Sequence, residues 1–135
     1  MALAWNQVTM TTGVAEIDAQ HKELIVRLNE LFDRMQKGEG ADALKGVLDF
    51  LANYATWHFS REEKCMDIVQ CSVAAANKQA HAAFLETFTR LRKRFETEGP
   101  TTKLVLETQR ELSGWLTTHI CKVDTRLRDC IAKAS

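Results

Sequence analysis

Apolar side chains recur every three or four positions along most of this chain, and the recurrence breaks at few places. One stripe runs through Leu24, Ile25, Leu28, Leu31, Phe32 and Met35, a second through Leu44, Val47, Leu48, Leu51, Ala55, Phe59 and Met66. A third carries Phe84, Leu85, Phe88, Leu91 and Phe95, and a fourth Leu104, Val105, Thr108, Leu112, Trp115 and Leu116. This spacing predicts amphipathic helices near 18–37, 41–66 and 73–96, with a fourth after Pro100. Gly38-Glu39-Gly40 and Gly99-Pro100 supply two of the breaks. The connection near 67–72 has neither glycine nor proline, so its limits are the least defined. Short connections favour antiparallel neighbours, so the expected fold is all-α, an up-down-up-down antiparallel four-helix bundle. Residues 1–17 read as an extended N-terminal arm with Trp5 as its anchor. The bundle spans about 18–124, and a short C-terminal extension of a helical turn or two follows. All of 1–135 reads as one free-standing domain.

Composition removes several function classes. Lys plus Arg and Asp plus Glu both number 18 in 135 residues. That balance offers no electrostatic case for nucleic acid or an anionic membrane surface. No apolar run is long enough to span a bilayer. The N-terminal stretch has no basic segment followed by an apolar block, so a cytoplasmic location is expected. Cys65, Cys71, Cys121 and Cys130 form no C-x-x-C pair, and their spacing resembles neither a zinc site nor a disulfide framework. They are expected to be ordinary reduced thiols, with Cys71 alone near enough to the histidines for a redox role to be considered.

The candidate chemistry lies in the histidines. There are four, His21, His58, His81 and His119, and each continues one of the apolar stripes. A single core histidine is ordinarily a hydrogen-bonded structural residue. A random helical position faces inward with a probability of roughly 0.3, so four of four has a chance on the order of one in a hundred. Imidazoles converging with carboxylates and without thiolates suit iron, manganese or zinc.

Two carboxylates sharpen the pattern. Glu62 follows His58 by four residues, about 400° of helical rotation, so the two share a face one turn apart. Buried polar side chains there are costly unless satisfied, by a metal or by hydrogen bonds. Asp124 follows His119 by five residues, which puts it about 140° away on a straight helix. Either the helix ends or bulges there, or Asp124 is a surface charge. Glu63 points off the stripe and is expected to be solvated.

The stretches GVAEIDAQHKELI, HFSREEKCM, NKQAHAAF and WLTTHICKVD resemble the four helical signatures of hemerythrins, most closely the single-domain bacterial members, the bacteriohemerythrins. The resemblance covers the chain from Trp5 to Asp124. It implies a metal-binding bundle with two non-haem iron ions in an oxo- or hydroxo-bridged di-iron centre that takes O2 as its ligand. Carried over by motif, His21 and His58 would serve one iron and His81 and His119 the other. Glu62 and Asp124 would bridge. An oxygen pocket would be lined by apolar residues such as Ile25, Leu28, Trp115 and Leu116.

One departure bears on the chemistry. Such proteins carry H-x-x-x-H on the third helix, whereas this chain has Asn77 in the first position, as NKQAH. The second iron would then keep an extra position, filled by water, by the Asn77 amide oxygen or by nothing. The VQCSVAAAN stretch also departs from the aromatic–Gly–aromatic–Pro turn of relatives, placing Gln70 and Cys71 there. The first expectation is an O2-binding protein for storage, delivery or sensing, rather than an enzyme. The alternatives are a di-iron oxidase or peroxidase, a degenerate site with one metal or none, and an interaction module.

Overall fold

A computed structural model describes residues 3–134. Among them there is no strand, and six α-helices with one π-turn follow in order: α1 (Gln7–Met10), α2 (Ala15–Gln36), α3 (Gly40–Ile68), α4 (Ala74–Glu98), α5 (Thr102–His119), the π-turn Ile120–Asp124, and α6 (Arg126–Ala134). Helices α2 to α5 are the four predicted ones. α2 packs on α3 and α5, and α4 packs on the same two, which closes a four-helix bundle. No helix among the described residues is long and apolar enough to cross a membrane.

The stripes become the core as expected. Leu31, Leu44, Leu48, Leu91 and Leu104 are buried towards the end where α2 turns into α3. That turn is tight because Gly40 opens α3 where an added Cβ would lie 2.9 Å from side-chain atoms of Met35 and Val105. A larger residue would push the helix ends apart. Gly99 ends α4 at φ 78, a left-handed conformation that suits glycine, just before Pro100. A smaller apolar cluster, Met66, Cys71 and Leu127, closes the opposite end beneath α6.

The arm is less extended than expected. Asn6 caps a single turn, α1, by accepting bonds from the backbone N–H groups of Val8 and Thr9. Trp5 packs on the core with Lys22 Nζ 5.0 Å from its ring. The C-terminal segment is longer than a turn or two and strongly amphipathic, and its Leu127 is fully buried. In the connection between α3 and α4, Gln70 takes φ 52 where no glycine is available.

The cysteines correct a further expectation. Cys71 and Cys130 are joined in a disulfide that ties α6 to this connection, while Cys65 and Cys121 are free. Irregular sequence spacing concealed the pairing because the two residues are 59 apart and meet only when α6 folds back. A cystine forms in an oxidising environment or in a transient oxidised state.

Candidate metal centre

The four histidines, one from each bundle helix, meet at one level of the bundle, and all four Nε2 atoms face inward. Glu62 on α3 lies between them, fully buried. Its Oε2 is 3.0 Å from His21 Nε2 and 3.4 Å from His58 Nε2. Its Oε1 is 3.0 Å from His81 Nε2 and 3.8 Å from His119 Nε2. One carboxylate oxygen thus faces each histidine pair.

Asp124 makes the second such span. Oδ2 is 3.0 Å from His21 Nε2, and Oδ1 is 2.9 Å from His119 Nε2. The surface-charge reading of Asp124 is therefore wrong, since the residue is buried. The helix bulges, as the spacing required. The Thr125 N–H bonds to the Ile120 carbonyl at 3.2 Å, an i to i+5 bond. One extra residue in the turn removes about 100° of the 140° offset and swings Asp124 inward.

Ring planes are set by aromatic neighbours and by partners on the outer nitrogens. Phe59 stacks on His81 at 3.9 Å between centroids, and Trp115 on His119 at 4.4 Å. His58 Nδ1 lies 2.6 Å from Gln20 Oε1, and His81 Nδ1 lies 2.8 Å from Glu63 Oε2. Glu63 is thus not simply solvated. Its side chain keeps 30% exposure but reaches inward to the ring. Gln20 and Glu63 escaped the sequence reading. Gln20 had a signal, a polar residue one turn before Leu24 on the apolar stripe. Glu63 had none, because its position on α3 points away from the bundle axis and only side-chain length brings it back.

The electrostatics of the metal-free site reflect this crowding. Burial would lower the pKa of His21 and His119, but the carboxylates of Asp124 and Glu62 outweigh it and hold both at about 9. Burial wins at His58, whose pKa is lowered. Burial would raise Glu62, yet contacts with His119, His21, His58 and His81 hold it well below the usual carboxylate range. Protons on His21 and His119 therefore balance the buried carboxylates.

The donor set fits a pair of cations. Donors at octahedral angles on bonds of 2.0–2.1 Å lie about 3.0 Å apart, close to most of the separations above. His81 Nε2 and His119 Nε2 face each other at 3.2 Å, so once both are deprotonated one cation could take a lone pair from each. Both Asp124 oxygens lie within 3.0 Å of a histidine Nε2 that is itself a candidate ligand. Two overlapping groups are each compact enough for one ion: His21, His58 and Glu62, and Glu62, His81, His119 and Asp124. Asn77 is fully buried on α4, one turn before His81, and neither its amide oxygen nor its nitrogen has a hydrogen-bond partner.

Comparison with known proteins places the chain in a family. Residues 12–130 match the family model of the hemerythrin HHE cation binding domain. The chain belongs to the hemerythrin family. It is 32% identical over 129 residues to a bacteriohemerythrin of Pseudomonas aeruginosa strain LESB58, covering 96% of this chain and 81% of that protein. A bacteriohemerythrin of Methylococcus capsulatus is 29% identical, with 96% and 97% covered. Among solved structures, a wild-type hemerythrin superposes with a TM-score of 0.78 at 27% identity, over 98% of this chain and 99% of that one.

Beside the site lies a small apolar cavity of about 10 Å³ lined by residues including Leu24, Leu28, Phe59, Trp115 and Leu116. Of the four residues expected around an oxygen pocket, Leu28, Trp115 and Leu116 line it, and Ile25 is not among them. Ile25 is buried in the core elsewhere.

Proposed function

We propose that this protein binds O2 at a non-haem di-iron centre. His21 and His58 hold one iron, His81 and His119 the other, and Glu62 and Asp124 bridge them. The observation that carries this reading is the pair of buried carboxylates, each with one oxygen towards a histidine of either half. A pair of ferrous ions there would supply the electrons for reversible O2 binding.

The protein's own residues do the rest. Glu62 and Asp124 offset the charge of two cations in a setting of low dielectric. Phe59 and Trp115 hold two imidazoles in plane and at the same time wall the apolar cavity. A space of about 10 Å³ holds no more than one small molecule, and its apolar wall discourages water from staying. That exclusion favours release of O2 over irreversible oxidation.

Asn77 favours a second reading, oxidative turnover. An amide is a weaker donor than imidazole, and an exchangeable position at the His81/His119 half would admit water or peroxide. The experiment that separates the two is optical. The protein is loaded with ferrous iron without air, O2 is admitted, and O2 is then removed. A visible band that appears and vanishes supports reversible binding. A band that persists moves the assignment to oxidative chemistry, and no band at all overturns the di-iron reading.

A further inference from the structure

The two halves of the site differ in what stands behind their histidines. His58 is backed by the neutral amide of Gln20, and His21 Nδ1 has no hydrogen-bond partner. Among the described residues, His81 alone of the four has an anion at its outer nitrogen, Glu63 Oε2 at 2.8 Å from Nδ1. Resting on the metal-centre reading above, we propose that Glu63 is a positioning residue that strengthens the His81/His119 half as a metal site.

The physical argument runs through one imidazole. A metal on Nε2 leaves Nδ1 as the only ring nitrogen carrying a proton, and that N–H donates to Glu63. The bond fixes the tautomer with its Nε2 lone pair inward. The negative charge behind the ring makes Nε2 a better donor. Phe59 stacked on the same ring, 9° from parallel, restricts it to this plane, so the carboxylate acts on an imidazole already held in register. The same half contains Asn77, whose amide has no hydrogen-bond partner. It is the half where Asn77 stands in place of the second imidazole of an H-x-x-x-H pair, so a stronger His81 donor offsets a loss there.

The test is stepwise metal affinity, measured by titrating the metal-free protein with Co2+ against a competing chelator. Glu63→Gln keeps a hydrogen-bond acceptor but removes the charge, and Glu63→Ala removes both. Removing such an outer partner typically costs about 10- to 100-fold in metal affinity. The expected result is that one of two equivalents weakens about 10-fold in Glu63→Gln and further in Glu63→Ala, with the other unchanged and the Co2+ spectrum of the weakened equivalent altered. Helix content of the metal-free variants should match the wild type, since Glu63 is partly exposed. If the wild type takes two equivalents and both variants bind them equally well, the inference is overturned and the metal centre stands. Equal weakening of both equivalents also overturns it. A wild type that takes up no metal overturns the metal-centre reading and this inference with it.

Discussion

Protons and metal compete for the same nitrogens, and the competition can be counted. His21 and His119 titrate at about 9 in the metal-free protein, so both are protonated at pH 7.5, whereas His58, with its lowered pKa, is neutral there. A metal ligand must be deprotonated, so loading two cations should expel about two protons at pH 7.5, about one at pH 9 and about half a proton at pH 9.5. The same histidines set the stability of the metal-free protein. Their folded pKa lies above the unfolded value of 6.5, so the contribution is fully present below about pH 6.5 and is lost as pH rises through 9. A rise from 6.5 to about 9 corresponds to about 3 kcal/mol for each group, less than twice that together because both lean on Asp124 and Glu62. Calorimetric titration with Mn2+ in two buffers of different ionisation enthalpy gives the proton count, and urea unfolding of the metal-free protein from pH 6 to 10 gives the stability. Failure to release protons at pH 7.5, or release that does not decline towards pH 9.5, would refute the reasoning.

Reduction of Cys71–Cys130 opens a loop of about 60 residues and should destabilise the protein by about 4 kcal/mol. Urea curves with and without a dithiol reductant measure this, and coincident curves would mean the link constrains nothing. Leu28→Phe should fill the cavity beside the site, at a cost of about 1–3 kcal/mol from overpacking. Its O2 association rate by flash photolysis should fall, and an unchanged rate would mean the cavity is not the path or seat of O2. Asn77→Leu replaces a buried amide without hydrogen-bond partners by an apolar side chain with the same heavy-atom branching. It should stabilise the metal-free protein by about 1–3 kcal/mol, and a destabilised variant would show that the amide is satisfied in solution.

The sequence by itself determined the helices, their order and which residues converge in the candidate site. Helical periodicity places His58 over Glu62, and it sets each histidine on an apolar face, because one turn of backbone is the same wherever the helix packs. Asp124 was legible only halfway. Its five-residue offset from His119 demanded a bulge or a surface location, and packing chose the bulge by burying the carboxylate against His21 on another helix. Contacts between elements remained out of reach for the same reason. Cys71 meets Cys130 because α6 folds back across the end of the bundle. Glu63 reaches His81, and Gln20 reaches His58, because neighbouring helices cross at a particular height and rotation. Periodicity specifies which way a side chain leaves its own helix. Only tertiary packing decides what stands opposite it, and the outer partners of His58 and His81 are contacts of that second kind.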